Sequence, residues 1–410
     1  MSSKTSYLIV GGGIVGLSTA MHLARANQGK VIVIETEPDV AQHQTGHNSG
    51  VIHSGLYYKP GSAKAKNCAE GREAMYQFCA DHGIAHERCG KIVVATDNDE
   101  IPRMEELLRR GIANGLTGIR TLCQEELREH EPHVAGIKGL FVPQTGIVNY
   151  KDVSKVYQSL ISEAGGEVQL GCKFLSCNTE SGGLVIETTK GTIQASHLVN
   201  CGGLHSDRIA KACGVEPGVQ IVPFRGEYYE LHKDKHYLVR NLIYPVPDPR
   251  LPFLGVHLTR MVHGGVEAGP NAVLAFRREG YKMWDFSIRD MIGLALSPGF
   301  WRMSAKFWKT GIGEFYRSLS KKAFLKALQR LMPELQMKDI YPAGAGVRAQ
   351  AMAYDGKLVD DFHIVQKERM VHVLNAPSPA ATASLAIGKT IAELANQQSD
   401  SNPKTISLSA

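Results

Sequence analysis

The run Val10-Gly11-Gly12-Gly13-Ile14-Val15-Gly16, almost at the start of the chain, constrains its fold more than any other segment. Gly11, Gly13 and Gly16 fit the spacing G-x-G-x-x-G. The apolar stretch Tyr7–Val10 before them reads as a buried strand, and Leu17–Ala24 after them reads as a helix. A second apolar run, Val31–Ile34, ends in Glu35, nineteen residues beyond Gly16. Strand, glycine turn, helix, strand and acid in this order form the first βαβ unit of a dinucleotide-binding fold.

Each part has a physical task. Gly11 permits the tight turn, Gly13 lets a pyrophosphate approach the backbone, and Gly16 lets helix and strand pack closely. The helix N-terminus, with Ile14 and Val15 in its first turn, offers free N–H groups and a partial positive charge to a diphosphate. Glu35 suits two ribose hydroxyls and repels a 2′-phosphate, which favours FAD or NAD over NADP.

The 410 residues are 43% hydrophobic and 21% charged, ordinary values for a globular protein with room for two domains. No apolar run approaches the ~20 residues of a membrane-spanning helix. The first strand begins so early that no signal or transit peptide is expected. The expected location is the cytoplasm, with the cytoplasmic face of the inner membrane as the alternative. The eight cysteines form no C-x-x-C pair, so scattered thiols are expected and no metal site. A net charge of +6 suits anionic substrates or an anionic membrane surface and does not argue for nucleic acid. Oligomeric state is not legible.

Patterning further along the chain predicts helices over 64–82, 99–114 and 152–164, with Asp99 as a cap of the second. It predicts strands over 91–96, a strand pair within 139–148, and strands over 167–174, 184–188 and 192–200. The last of these runs into Cys201-Gly202-Gly203, a second strand-to-glycine turn. Residues 221–280 read as strand-rich, 286–332 as helical, and the region from 344 as strands followed by a helix starting at Ser378. The fold class expected is α/β, α+β overall. A Rossmann-like FAD-binding domain (1–85, 149–215 and 340–410) carries an inserted mixed or antiparallel-sheet substrate domain (86–148 and 216–339), with a helical cap at 286–332.

Ten residues after Glu35 comes Thr45-Gly46-His47-Asn48-Ser49-Gly50-Val51-Ile52-His53-Ser54-Gly55. Its small residues let a flat ring system lie against the backbone, and Asn48 and Ser49 can bond phosphate or ribityl oxygens. His53, set among glycines, suits proton abstraction from an alcohol. His43 reads as an ordinary loop histidine, and His47 is open.

This run, together with Gly11–Gly16, Glu35, Pro223–Tyr228, Tyr244–Pro247, Pro252–His257, Gly269–Ala272, Gly346–Gln350 and Asn375–Thr382, resembles the L-2-hydroxyglutarate dehydrogenase/oxidase family, a branch of the D-amino-acid-oxidase-like flavoenzymes. The resemblance spans about residues 5–395. It implies FAD and oxidation of L-2-hydroxyglutarate to 2-oxoglutarate by hydride transfer from C2 to flavin N5. It also implies electron delivery to a quinone pool or to oxygen, in a bacterial, membrane-associated form.

Such a reaction requires a cation for the α-carboxylate and a base for the hydroxyl. Arg348, within Gly346-Val347-Arg348, is the expected carboxylate clamp, since guanidinium binds carboxylate through two parallel N–H bonds. For the second carboxylate of a 2-hydroxy diacid, Arg225 is preferred over Arg260, Arg277 and Lys357, with Tyr228 and Asn271 completing the substrate set. Alternation over Phe253–Leu258 puts His257 on one face with Phe253 and Gly255, so His257 competes with His53 for the base role. The expected cofactor contacts are the glycine turn, Glu35, Thr45, Asn48, Ser49, Gly50, Val51, Phe174, Cys201, Gly202, Gly346 and Arg348. Ser378, Pro379, Ala380, Ala381 and Thr382 join them as a helix start aimed at the flavin.

Phe300-Trp301-Arg302, Lys306–Lys309 and Phe315–Arg317 interleave aromatics with cations, as a surface lying on anionic lipid and receiving a quinone would; a helical cap with a solvated basic face fits equally well. Two other functions share these features. One is a flavin-dependent amine or amino-acid oxidase, and the other is a non-catalytic dinucleotide-binding protein that docks on membranes.

Overall fold

The computed structural model describes residues 5–27, 29–248, 255–397 and 404–406. The strand Thr5–Val10 pairs in parallel with Val31–Ile34 on one side and with Gly191–Asn200 on the other. Glu167–Gln169 extends the sheet beyond Val31–Ile34, and Met370–Asn375, His363–Lys367 and Lys404–Ile406 extend it beyond Gly191–Asn200. Central strands read VIVI and YLIV because both faces are covered, which is the signature of a parallel sheet. The helices Ile14–Arg25, Tyr150–Glu163 and Ser384–Asn396 cover one face, packing Leu17, Met21, Tyr157, Ile161, Ile387 and Ile391 into one core. Three separated pieces of chain thus build one nucleotide-binding layer.

A second nine-stranded sheet holds Lys91–Ala95, Lys138–Val142, Val219–Leu231, Leu242–Pro245, His257–Arg260 and their neighbours. It is antiparallel except where Leu242–Pro245 runs parallel to Lys91–Ala95. Its longest pairing joins Val219–Leu231 to Ile340–Ala353. Residues 340–353, expected in the FAD-binding piece, therefore lie in the substrate sheet, because this long register holds them there. A small third sheet holds Val51–Ile52, Gly146–Val148 and His86–Glu87.

Several local expectations are corrected. The strands within 139–148 do not pair with each other: Lys138–Val142 joins the large sheet and Gly146–Val148 the small one. The stretch 167–174 breaks into Glu167–Gln169 and a new strand at Phe174. Asp97, not Asp99, caps the next helical segment, its carboxylate accepting from the Glu100 N–H at 3.2 Å. The stretch 286–332 divides into Ile288–Ala295, Pro298–Leu319 and Lys321–Leu328. Ser297 and Ser320 mark the breaks, each accepting from an N–H three residues on.

The final helix starts at Ser384, not Ser378. Thr382 is drawn across to the small sheet, where its hydroxyl meets the His53 N–H at 3.1 Å and the Tyr150 hydroxyl at 3.0 Å. Residues 378–382 are held as a turn, and Ser378-Pro379 is a cis peptide. Phe253 and Leu254 lie outside the described residues; the strand expected there is described only from His257.

Candidate active site

A cleft of about 1610 Å³ runs from the glycine turn, beneath residues 41–53 and 375–382, to the second sheet. That exceeds the ~300–1,000 Å³ of a drug-sized ligand pocket and suits a dinucleotide with a substrate beside it.

Its nucleotide end is built by close backbone approach. Gly11 has φ +113°, and a Cβ there would stand 2.5 Å from the Cys201 carbonyl oxygen. A Cβ on Gly16 would stand 2.1 Å from the Gly11 oxygen, whereas one on Gly13 would meet nothing nearer than 3.5 Å. Gly11 and Gly16 thus serve packing, and Gly13 leaves room beside the helix N-terminus. Thr45 Oγ1 accepts from the Ile14 N–H at 3.0 Å, satisfying one donor of that terminus. Glu35 accepts from Gly12 N–H (2.6 Å) and Glu37 N–H (2.9 Å), which orients its carboxylate at the cleft wall.

Val15, Ser49, Val51, Phe174, Cys201, Gly202, Gly346, Arg348 and Ser378, Pro379, Ala380, Ala381 and Thr382 line the same cleft. A Cβ on Gly346 would stand 2.3 Å from the His47 carbonyl, so only glycine lets this strand pass the 45–53 loop. Two expected contacts differ. Gly50 turns away from the cleft: a side chain there would strike the Val148 carbonyl at 2.4 Å, because Gly50 pairs with Val148. Asn48 lines the cleft but braces its own loop, donating to the Gln44 and Thr45 carbonyls and accepting from Gly50 N–H.

At the substrate end, His53, His257, Tyr228 and Arg348 meet on the cleft wall. Burial, with the charge of Lys91 and of His257, drives the His53 pKa down to about 3. Burial likewise lowers His257 to about 4, opposed by its bond to the Gly255 carbonyl and assisted by Arg348 and Lys91. Both imidazoles are neutral at pH 7. His257 Nδ1 lies 3.0 Å from the Gly255 oxygen, which can only accept. Its N–H is therefore on Nδ1, and Nε2 carries the lone pair of a base. Burial pushes the Tyr228 hydroxyl up to about 12, so it stays a neutral donor.

Arg225 and Asn271 are not on this wall. Arg225 is buried against Glu227 at 3.0 Å, and the Asn271 amide bonds the same carboxylate at 3.1 Å, as does Ser318 at 2.6 Å. A buried guanidinium needs a counter-charge, and Glu227 two residues away supplies it. The arginine expected to hold the second carboxylate is thus part of the framework.

Three features of the site escaped the sequence reading. Lys91 is fully buried with its ammonium 4.4 Å from the Tyr57 ring centre and 4.8 Å from that of Tyr244, and both rings line the cleft. A lysine heading the apolar strand Lys91-Ile-Val-Val-Ala95 was the available signal. Tyr281 reaches from the substrate domain to His43 Nδ1 (2.9 Å) and packs on His47, with ring centres 4.4 Å apart. Arg278 forms a buried two-pronged pair with Asp207, tying the 275–290 segment to the nucleotide layer.

A mixed sheet with a parallel centre and a glycine cradle, a dinucleotide-sized cleft and two neutral imidazoles beside an arginine define a flavin-dependent oxidoreductase. The chain belongs to the DAO family of FAD dependent oxidoreductases, whose pattern it matches over residues 6–394. It is 52% identical over 390 residues to the L-2-hydroxyglutarate dehydrogenase of Indibacter alkaliphilus, covering 95% of this chain and 98% of that one. It is 44% identical to the mitochondrial L-2-hydroxyglutarate dehydrogenase of Homo sapiens, covering 97% and 90%. The fold is similar to that of the L-alpha-glycerophosphate oxidase of Mycoplasma pneumoniae, solved with FAD bound, with a TM-score of 0.78 at 20% identity over 98% of this chain and 97% of that one.

Proposed function

We propose that this protein oxidises L-2-hydroxyglutarate to 2-oxoglutarate. The observation that carries the reading is the convergence of Arg348, His53 and His257 on one wall of a dinucleotide cleft. The identity to dehydrogenases named for that substrate supports it. FAD, held by the glycine turn, Glu35, the 45–53 loop and the 376–382 turn, supplies the two-electron acceptor for the C2 hydride. Arg348 binds the α-carboxylate in a fixed orientation through its planar fork. The neutral pair His53 and His257 accepts the hydroxyl proton, with Nε2 the free position on His257. Tyr228 donates to substrate oxygen. Arg348 and Lys91 give this end of the cleft the positive potential a dianion needs.

Electrons leave to a quinone, and the protein works in the cytoplasm, applied to an anionic membrane face through its aromatic and basic helices. Among the described residues no helix is long and apolar enough to cross a membrane, so attachment is peripheral in this reading. A discontinuous FAD domain (1–85, 149–215 and the residues after 353) and a substrate domain (86–148 and 216–353) divide the work. The test is the visible spectrum of the purified yellow protein without air. L-2-hydroxyglutarate bleaches the flavin, while glycine, sarcosine and D-amino acids leave it unchanged. Bleaching by an amine substrate instead would transfer the chain to the amine-oxidising branch of the scaffold.

A further inference from the structure

A second cavity, of about 380 Å³, lies between the long helix Pro298–Leu319 and the second sheet. Its lining is mostly apolar and includes Phe224, Leu274, Phe300, Met303, Phe307 and Trp308. Ser304 and Thr310 add hydroxyls, and Glu100, Glu314, Arg317 and Arg330 add charged groups. The cavity backs onto the substrate end of the cleft. Pro270 lines both spaces. Tyr244 and His257 line the cleft, while their chain neighbours Pro245 and Val256 line the cavity. Tyr244 and Pro245 are successive residues of the strand Leu242–Pro245 and face opposite ways, so this strand lies between the two spaces.

The outer side of the same helix is as unusual as its inner side. Phe300, Met303, Phe307 and Ser318 face inward at helical spacing, yet Trp301, Ile312, Tyr316 and Leu319 form a second apolar stripe that is exposed, and the half-exposed Trp308 bridges this stripe and the cavity. The preceding helix adds Ile288 and Ile292; Leu296 just after it is 78% exposed, and Trp284 before it is 84% exposed. Between residues 282 and 322 eight Lys or Arg stand against three Asp or Glu, in a chain whose whole net charge is +6. A contiguous apolar face ringed by cations matches an anionic lipid surface. A ligand reaching the cavity past this helix comes from an apolar medium.

We propose that this cavity is the binding site for the head group of a lipophilic quinone, loaded from the lipid phase past the outer stripe of helix Pro298–Leu319. The inference rests on the reading of the chain as a FAD-dependent hydroxyacid dehydrogenase. A quinone is flat and mostly apolar, with two carbonyl acceptors, and the lining offers aromatic and aliphatic walls with a few hydroxyl donors. The electron balance closes without another reactant: FADH2 and quinone give FAD and quinol, two electrons and two protons passing from one to the other. The shared wall at Pro270 and the strand Leu242–Pro245 place the cavity behind the substrate end of the cleft.

The chain's three tryptophans, Trp284, Trp301 and Trp308, all lie in this region, so intrinsic fluorescence reports it directly. Gly311 lines the cavity, and a side chain built on it meets nothing within 4 Å. Gly311→Leu therefore narrows the cavity while improving helix propensity. Decyl-ubiquinone is expected to quench the tryptophan emission of the holoenzyme saturably, and Gly311→Leu to weaken that binding at least tenfold. In the same variant, anaerobic bleaching by L-2-hydroxyglutarate and reoxidation by ferricyanide are expected to be unchanged, while reoxidation by decyl-ubiquinone slows at least tenfold. Leu274→Phe, from the opposite wall, should act in the same direction. Unaltered quinone binding and reoxidation in both variants would overturn the proposal. So would displacement of the quinone by n-decanol at equal affinity, which would mark the cavity as a lipid-tail pocket. Failure of the underlying reading looks different: wild-type flavin that L-2-hydroxyglutarate does not bleach.

Discussion

Lys91 holds its ammonium 4.4 Å from the centre of the Tyr57 ring with only 1% of the residue exposed. Burial lowers its pKa to about 7, and among the described residues no carboxylate pairs with it. Tyr57, Tyr244, His53, His257 and Cys68 surround it. Its charge disfavours protonation of both active-site imidazoles. Replacing it with methionine, Lys91→Met, removes that repulsion, so both histidine pKa values should rise. The acid limb of kcat/KM for L-2-hydroxyglutarate is expected to move up by about one pH unit. A pH profile superimposable on wild type would rule out this electrostatic role.

The imidazoles themselves set the second expectation. With His53 near 3 and His257 near 4, the neutral forms persist well below the usual histidine value. Turnover should therefore hold as pH falls through 6.5 and decline only towards the lowered values. His53→Ala and His257→Ala should each reduce kcat by on the order of 10²–10⁴ with flavin retained. Stopped-flow reduction with matched flavin absorbance measures this, and near-normal rates in both variants would remove histidine from the chemistry.

Arg348→Lys keeps the charge and loses the planar fork. The expected result is a rise in KM of on the order of 10- to 100-fold, since one of two parallel bonds to the α-carboxylate goes. Steady-state kinetics with L-2-hydroxyglutarate decide it; an unchanged KM would mean that the carboxylate binds elsewhere.

Gly16→Ala would drive a methyl group towards the Gly11 carbonyl, 2.1 Å from where a Cβ must sit. Helix and strand must part, and the cradle between them opens. The variant should purify with little or no flavin absorbance while circular dichroism retains the sheet. Full yellow colour would contradict the packing role given to this glycine.

Asp207→Asn strips the counter-charge from the buried guanidinium of Arg278. Breaking one half of a buried pair costs about 3–5 kcal/mol, so chemical denaturation should show a loss of that order. A midpoint shifted by less than experimental error would show that the 275–290 segment is held by other contacts.

The nucleotide half was legible because its signals are local. The turn Gly11–Gly16, the run Val31–Ile34 and Glu35 lie within one βαβ unit, where spacing and side-chain size alone dictate geometry. His53, Arg348 and His257 could be singled out because histidine and arginine are unusual among glycines and in strands. Arg225 could not be judged in the same way: its partner Glu227 is only two residues away, but that carboxylate is held by Asn271 and Ser318 from far along the chain. Ser378-Pro379 carries the signature of a helix start, yet Thr382 is claimed by Tyr150 and the His53 N–H, and a tertiary demand overrides the local one.

Chemical identity and short-range spacing in the sequence by themselves determined the dinucleotide cradle and the residue types able to do the chemistry. Tertiary structure alone decided which cations reach the cleft, that Lys91 is buried beside it, that residues 340–353 join the second sheet, and that one helix carries apolar residues on both its sides. These outcomes depend on contacts between segments from tens to about 150 residues apart, and burial, counter-charge and strand register exist only once those segments have met.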